Sequence, residues 1–286
     1  MMRKSTLALA LVACTLAWAC VATHGGNAAA ASFAHDPGAV DLVIQGAVDS
    51  EVAPLVRALA GARRIQIAAW TFWRGRLGGR DVVVSRTEVG PTNAAVATAL
   101  AVTTFHPRLV INQGTAGATI PDLRVFDIVV GEATVDYGAF QSERAAAGEG
   151  SDQSRWIRML PRLRFGDERV ELPVFPGDPE ALAVALAQPY AHGRVVKGTI
   201  GSAFQFNREI DRLLWIREKY GAVSEDMESA FAAGAALGFS TRFLAVRIIS
   251  DSEFYSPGVH SSAAGYCAEF VAALVPRLPI ATSAAR

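Results

Sequence analysis

The stretch DMESAFAAGAALGFSTRFLAVRIISD, residues 226–251, decides the fold of this chain because it predicts a helix followed by a buried strand. The first half is rich in small residues and favours a helix that begins at Asp226 and ends near Gly238. Residues 243–249 form an almost continuous apolar run of strand length, which is typical of a strand covered on both faces. Asp251 follows soon after, and ligands of open α/β sheets collect at the carboxyl ends of strands. Asp251 is therefore a candidate site residue.

The acids of this stretch also have a purely structural interpretation. Asp226 and Glu228 would stabilise the dipole of the helix, and Asp251 would cap the segment after the strand. Spacing alone favours this structural interpretation, so a functional one depends on other parts of the chain.

The length and composition limit the possible fold classes and the possible kinds of binding partner. The chain has 286 residues, of which 51% are hydrophobic and 19% are charged, and its formal net charge is +0. This length allows one large α/β domain or two small ones. A balanced charge gives no electrostatic support for binding to nucleic acid or to an anionic membrane surface, and the sequence contains no nucleic-acid-binding motif.

Residues 1–30 have the pattern of a secretory signal peptide. A short basic start precedes an apolar run over residues 5–22, and small residues follow it. The apolar run is too short for a stable membrane span. We therefore predict export, to a bacterial periplasm, with cleavage between Ala28 and Ala31. The mature chain, residues 31–286, is predicted to be a single domain.

The cysteines leave no internal disulfide in the exported form. Cys14 and Cys20 lie in the signal, and Cys267 alone remains, in an apolar context that predicts a small buried core residue. Cys14 also ends a run that resembles a bacterial lipoprotein cleavage site, so a lipid anchor at Cys14 is the alternative to ordinary cleavage.

Strands and helices alternate along the mature chain. Strand-like apolar runs occupy residues 41–47, 66–74, 81–86, 109–112, 127–131 and 195–201. Helical patterns occupy residues 53–59, a segment ending near Phe105, residues 179–186 and residues 261–275. The alternation predicts one α/β domain with a mixed or largely parallel central sheet. Residues 138–156 are rich in Gly, Ser, Gln and charged residues, which predicts a surface loop or a lid.

Two glycine-containing turns follow predicted strands. Gly90 stands between a strand and a helix, where a glycine lets the backbone come close to a ligand. Gly114 and Gly117 enclose Thr115, and this loop can present backbone N–H groups and a hydroxyl to a polar ligand. It is neither a P-loop nor a dinucleotide-binding loop. No cofactor and no metal site are predicted.

Four stretches, taken in order, resemble the nucleoside phosphorylase/nucleosidase superfamily: GAVDSEV (residues 46–52), NQGTAG (112–117), DMESA (226–230) and VRIISD (246–251). Within the superfamily they look most like the methylthioadenosine/S-adenosylhomocysteine nucleosidases. The resemblance implies a three-layer α/β/α fold with a mixed, largely parallel central sheet. It also implies cleavage of the N-glycosidic bond of a purine nucleoside, usually by a homodimer.

The resemblance assigns roles to the residues that match the family motifs. Asp251 matches the acid that donates a proton toward the purine N7, and Glu51 matches the acid that activates the attacking water. Glu228 matches the carboxylate that binds the ribose hydroxyls, and Met227 matches the thioether that packs against the sugar. The transition state is oxocarbenium-like and the base departs with negative charge, so Asp251 must hold its proton in a desolvated site.

Five further residues are predicted to contact the substrate. Ser250 would orient the acid beside it, and Thr115 would place its hydroxyl near the water or the ribose. Phe204 would stack on the base, and the backbone of Gln205 would bind the edge of the base. Val89, beside the first glycine turn, completes this set.

Three positions depart from the family pattern. Ser202 stands where the bacterial enzymes commonly have Asp, Gln205 replaces an aliphatic residue, and Val48 takes the place of a Met. They leave open the specificity for adenine and the fit of a 5′-thioalkyl group.

Asn112 favours water over phosphate as the acceptor. The phosphorylases of this superfamily have an Arg at this position, and a buried phosphate without a cation would be poorly compensated. We therefore predict hydrolysis, with a phosphate-dependent purine nucleoside phosphorylase as the alternative. A non-catalytic exported protein that binds or stores nucleosides is an alternative of another class. The joint presence of Glu51, Glu228 and Asp251 favours catalysis.

Overall fold

Fourteen β-strands and six α-helices follow one another in residues 38–280, the part of the chain that the computed structural model describes. The strands are β1 (Leu42–Gly46), β2 (Ala60–Ile67), β3 (Trp70–Leu77), β4 (Arg80–Arg86), β5 (Leu109–Ala118), β6 (Ile128–Asp136), β7 (Phe140–Gln141), β8 (Ile157–Arg158), β9 (Arg162–Phe165), β10 (Glu168–Glu171), β11 (Phe175–Pro176), β12 (Val195–Ser202), β13 (Ala222–Asp226) and β14 (Arg242–Asp251). The helices are α1 (Asp49–Ala58), α2 (Pro91–Phe105), α3 (Pro179–Leu186), α4 (Ile210–Tyr220), α5 (Ser229–Gly238) and α6 (Ala263–Leu274). The predicted signal peptide, its cleavage site and Cys14 lie outside the described residues.

Ten of these strands form one mixed sheet. β4, β1, β5 and β14 are paired in parallel, and so are β6, β12 and β13. β13 pairs antiparallel with β5, and β14 pairs antiparallel with β6, so β5, β14, β6, β12 and β13 close a ring. β3 and β2 extend the other edge of the sheet by antiparallel pairing to β4.

The helices cover both faces of the sheet. Successive side chains of a strand point to opposite faces, so each buried strand contributes to two cores. On one face, Leu42 and Ile44 of β1 belong to a core that includes α1, α3 and α6. On the other face, Val43 belongs to a core that includes α2 and α5. The three-layer α/β/α fold with a mixed central sheet is therefore confirmed.

The single strand predicted over residues 66–74 is wrong. The segment contains the end of β2 and the start of β3, which are joined by a turn at Ala68 and Ala69. Ala68 adopts a left-handed φ of 49°. Because the turn lacks Gly, Pro, Asn and Asp, the sequence gives no local signal for it.

The predicted start of a helix at Asp226 is also wrong, because α5 begins at Ser229. Asp226 is the last residue of β13, and its Oδ1 accepts hydrogen bonds from the backbone N–H groups of Glu228 and Ser229, both at 3.1 Å. Asp226, at the end of the preceding strand, therefore accepts hydrogen bonds from the N–H groups at the start of the helix. No element was predicted for residues 207–225, where α4 and β13 form.

Other features concern the surface and the core. Residues 138–156 are mostly exposed, and they contain β7 and a 3-10 turn at Gln153–Arg155. Cys267 of α6 is fully buried, as predicted. No helix within residues 38–280 is both long and apolar enough to cross a membrane.

Candidate active site

A cavity of about 190 Å³ lies at the carboxyl ends of β1, β5, β13 and β14. Eight of the nine predicted site residues line it: Glu51, Val89, Thr115, Gln205, Met227, Glu228, Ser250 and Asp251. These residues come from distant parts of the chain, and the sheet brings them together because strands paired in parallel end at the same edge.

Glu51 is held at one end of the cavity by the first turn of α1. Its Oε2 accepts hydrogen bonds from the backbone N–H groups of Ala47 at 2.7 Å and Val48 at 3.3 Å. Its Oε1 accepts hydrogen bonds from the backbone N–H of Thr115 at 2.8 Å and from the Thr115 hydroxyl at 3.0 Å. Four donors thus fix the position of the carboxylate that the sequence predicts to activate water.

Gly114 allows two charged side chains to approach β5 closely. A Cβ on Gly114 would lie 2.6 Å from Glu51 Oε1 and 2.6 Å from Arg247 Nη1. Both distances are shorter than van der Waals contact, so a side chain at this position would displace Glu51 and Arg247 together.

Arg247 of β14 is a fully buried cation that the sequence analysis did not include among the site residues. Its Nε lies 2.7 Å from Asp226 Oδ2, and its Nη2 lies 3.6 Å from Glu228 Oε2. Nη2 also donates a hydrogen bond to Asn112 Oδ1. An arginine inside an apolar strand indicates buried anionic partners, but the sequence does not identify which residues they are.

Glu228 lies between Arg247 and the glycine turn before α2. Its Oε1 accepts a hydrogen bond from the backbone N–H of Gly90 at 2.9 Å, while Oε2 is the atom closest to Arg247. Burial raises the pKa of Glu228 to about 7, although the charge of Arg247 opposes this shift. The carboxylate is therefore oriented by groups behind the cavity wall and can accept hydrogen bonds from a ligand in front of it.

Asp251 ends β14 and is 6% exposed. Burial raises its pKa, and the charge of Glu253 adds to this effect, while the hydrogen bond from Ser250 opposes it. Ser250 Oγ lies 2.6 Å from Asp251 Oδ1. Oδ2 faces Gly117, where a Cβ would lie 3.3 Å from it. A buried carboxyl group with a raised pKa and one oxygen that faces Gly117 of the cavity is suited to donate a proton.

Phe204 does not line the cavity. Its side chain is 70% exposed and its ring packs on Gly90, where a Cβ would lie 3.0 Å from the ring. Phe206 and Val259, which the sequence analysis did not select, line the cavity. Gly90 binds the cavity residue Glu228, so Phe204 lies beside the cavity, and its stacking on a base stays a prediction.

Glu225 is a further acid of the cavity that was not predicted. Its Oε2 accepts hydrogen bonds from the Tyr137 hydroxyl at 2.8 Å and from Asn207 Nδ2 at 2.5 Å. Burial raises the pKa of Glu225 to about 7, although these hydrogen bonds lower it. Glu225 could not be selected from the sequence because β13 itself was not predicted.

Glu225 makes the stability of the folded protein depend on pH. Its pKa rises from 4.5 to about 7 on folding, so its contribution to the free energy of unfolding is present below pH 4.5 and is lost as the pH rises through 7. We expect Glu225 to account for a loss of roughly 3 kcal/mol in the unaltered protein; Glu225→Gln should lack this part of the loss and keep the part due to other buried acids, such as Glu228. Urea unfolding of both proteins at several pH values in this window measures the difference. If the free energy of unfolding changed with pH by the same amount in both proteins, the prediction would be wrong.

Comparisons with known proteins agree with this geometry. The profile of the phosphorylase superfamily matches residues 41–274. The 5′-methylthioadenosine/S-adenosylhomocysteine nucleosidase of Marinomonas sp. is 31% identical over 207 residues, which cover 72% of this chain and 83% of the relative. The nucleosidase of the same name from Geobacillus kaustophilus is 30% identical over 241 residues, which cover 81% of this chain and 95% of the relative.

Solved structures of such nucleosidases share the fold. The nucleosidase of Neisseria meningitidis, in complex with methylthio-immucillin-A, matches with a TM-score of 0.67 and 25% identity over 83% of this chain and 99% of that chain. The nucleosidase of Colwellia psychrerythraea, in complex with adenine, matches with a TM-score of 0.68 and 26% identity over 86% of this chain and 98% of that chain. The chain therefore belongs to the phosphorylase superfamily and, within it, to the family of the 5′-methylthioadenosine/S-adenosylhomocysteine nucleosidases.

Proposed function

We propose that this protein hydrolyses the N-glycosidic bond of an adenine-type nucleoside such as 5′-methylthioadenosine or S-adenosylhomocysteine. The observation that carries the proposal is that Glu51, Glu228 and Asp251 meet in one cavity. The named relatives are nucleosidases of these two compounds, and one solved relative holds adenine. Three buried acids that meet in one cavity support catalysis more strongly than storage.

Asp251 supplies a proton to the departing base. When the bond between C1′ and N9 breaks, its electron pair leaves with the base, and a proton delivered to N7 neutralises the developing charge. Because Ser250 Oγ occupies Oδ1, Oδ2 is the oxygen that delivers the proton. Burial, which raises the pKa of Asp251, favours the protonated form that this step requires.

Glu51 activates the water that attacks C1′. As the new bond between the water oxygen and C1′ forms, Glu51 removes a proton from that water, and the products are the free base and the free sugar. The Thr115 hydroxyl, 3.0 Å from Glu51 Oε1, is placed to orient either the water or the ribose.

Glu228 and Met227 bind the sugar. Glu228 accepts hydrogen bonds from the ribose hydroxyls, and the backbone N–H of Gly90 and the guanidinium of Arg247 keep the carboxylate in position. Met227, a half-buried residue of the cavity, packs against the sugar ring.

Water is the acceptor because the cavity offers no cation to a phosphate. Within residues 38–280, no Lys, Arg or His is among the residues that line the cavity. Arg247 is paired with Asp226 and Glu228, and Asn112 binds it too. We expect the free sugar as product and a rate that added phosphate does not change, measured by chromatography of the sugar with and without phosphate. A sugar 1-phosphate would instead identify a phosphorylase.

Two departures from the family pattern are compatible with this function. The Ser202 hydroxyl donates a hydrogen bond to Asp226 and accepts one from the backbone N–H of Ala230 at 2.9 Å, so it supports α5 and does not line the cavity. Val48 does line the cavity, and its side chain is shorter than the Met that the family pattern has at this position.

A nucleoside panel tests the proposal directly. The purified chain is incubated with 5′-methylthioadenosine, S-adenosylhomocysteine, adenosine and inosine, and the free base is quantified. We expect release of adenine. Binding of these nucleosides without any cleavage would favour a binding or storage protein.

We also propose that the protein is exported and that it forms a homodimer. The basic start, the apolar run and the small residues of positions 1–30 support export. The intact mass of the chain from the periplasm should correspond to a start between residues 28 and 32. A diacylated terminus at Cys14 would support the lipid anchor, and an uncleaved cytoplasmic chain would contradict both the signal peptide and the anchor.

Light scattering on the purified chain tests whether it forms a homodimer.

A further inference from the structure

Glu225 lies across Gly117 from the proposed proton donor. Gly117 of β5 is in register with Glu225 of β13 on one side and with Asp251 of β14 on the other. A Cβ on Gly117 would lie 3.3 Å from Asp251 Oδ2 and 3.8 Å from Glu225 Oε1. The two oxygen atoms therefore face the same space, and Gly117 itself places no side chain in it.

The two oxygen atoms of the Glu225 carboxyl group have different surroundings. Oε2 accepts hydrogen bonds from the Tyr137 hydroxyl at 2.8 Å and from Asn207 Nδ2 at 2.5 Å. Among residues 38–280, the only hydrogen bond to Oε1, the atom nearer to Gly117, is a long one of 3.3 Å from the backbone N–H of Asn207. The capacity of Oε1 as an acceptor is thus largely unused, and it faces the cavity.

The hydrogen-bond donors to Glu225 are neutral groups of Tyr137 and Asn207. Tyr137 is fully buried, and Asn207 Nδ2 also lies 3.0 Å from its hydroxyl oxygen. Among residues 38–280 no Lys, Arg or His forms an ion pair with Glu225. A buried carboxyl group without a cation is unfavourable unless its oxygen atoms receive hydrogen bonds, so a ligand that donates to Oε1 gains from the interaction.

We propose that Glu225 determines base specificity by accepting, at Oε1, a hydrogen bond from an N–H group on the six-membered ring of the purine. The proposal rests on the function proposed above and names the class of base: purines with a ring or exocyclic N–H, such as the 6-amino group of adenine. Purines without such a group leave Oε1 unpaired and are disfavoured, because a site built to bind a hydrogen-bond donor rejects an analogue that lacks the donor.

The test compares two nucleosides that differ only in this donor. They are 5′-methylthioadenosine and the corresponding nucleoside of unsubstituted purine, assayed at about pH 8. The unaltered protein should prefer the first in kcat/KM, and Glu225→Val should reduce that preference by at least about tenfold. The intrinsic reactivity of each nucleoside cancels in this comparison of ratios. Val48→Ala, at the other part of the cavity, is the matched control and should change kcat/KM for both nucleosides alike.

A second variant and a binding measurement cover the case in which Glu225→Val does not fold. Glu225→Gln keeps the size of the side chain and a neutral acceptor, so it should retain only part of the preference. Calorimetry with the free bases should show that adenine binds more tightly than purine to the unaltered protein. In Glu225→Gln the difference in affinity between the two bases should be smaller. If 5′-methylthioadenosine is cleaved but neither variant changes the preference, this inference is wrong and the proposed function stands. If no nucleoside is cleaved and no base binds, both are wrong.

Discussion

Asp251→Asn should reduce kcat by roughly 10²–10⁴-fold and leave the affinity for a nucleoside nearly unchanged. The amide keeps the shape of the side chain, and its position beside Ser250 Oγ, 2.6 Å from Asp251 Oδ1, allows the hydrogen bond to remain. It cannot deliver a proton to N7, so the base must depart with its negative charge uncompensated. Steady-state kinetics with 5′-methylthioadenosine, together with calorimetry using a non-cleavable analogue, measures the two quantities separately.

Glu228→Gln is the matched control for Asp251→Asn. Both changes convert a buried carboxyl group of the same cavity into an amide. Since Glu228 is proposed to bind the ribose in the ground state as well as in the transition state, its loss should weaken affinity and turnover together. A charged hydrogen bond contributes roughly 1.5–3 kcal/mol. Near-normal turnover in Asp251→Asn would show that the proton comes from another group, and Glu225 would then be the first to test.

The positions of Glu51 and Asp251 at the cavity could be predicted from the sequence because each residue belongs to a short local motif. Glu51 sits in the first turn of a helix after a strand, and Asp251 ends a long apolar strand. Both contexts are visible in a window of about ten residues, and the structure places both side chains in the cavity. Thr115 could be predicted in the same way, because glycines flank it in the sequence.

Residues whose importance depends on distant partners could not be predicted. Arg247 looked like one charge in an apolar run, and only the fold shows that Asp226, Glu228 and Asn112 surround it. Glu225 was hidden because a strand of only five residues, three of them polar, has neither an apolar run nor a clear alternation.

The stacking of Phe204 on a base stays a prediction, and the sequence did not indicate that Phe206 lines the cavity. The family motif assigned base stacking to Phe204, whereas Phe206, two positions later, lines the cavity. Neighbouring aromatic residues in a segment without regular structure cannot be ranked from sequence, because no periodicity fixes which of them points inward. Residues 203–209 form such a segment, between β12 and α4.

Arg247→Met should lower the free energy of unfolding by roughly 3–5 kcal/mol, the usual result of removing one partner of a buried ion pair. Arg247 is 1% exposed, and its guanidinium balances Asp226 at 2.7 Å and Glu228 at 3.6 Å. Without it, two buried carboxylates remain without a cation, although both keep their hydrogen bonds from backbone N–H groups. The loss should be smaller at pH 5 than at pH 8, because removal of the cation raises the pKa of Glu228 further and protonation then removes its charge.

Arg162→Met provides the control for Arg247→Met, because it is the same substitution in an exposed ion pair. Arg162 lies 3.0 Å from Glu171, and both side chains are about half exposed. Surface pairs of this kind contribute about 0–1 kcal/mol, so the control should unfold almost like the unaltered protein at either pH. Urea unfolding of the three proteins at about pH 5 and about pH 8 gives, for each variant and each pH, the change in the free energy of unfolding relative to the unaltered protein. If Arg247→Met loses no more stability than Arg162→Met, or loses the same amount at both pH values, Arg247 does not compensate the buried acids of the site.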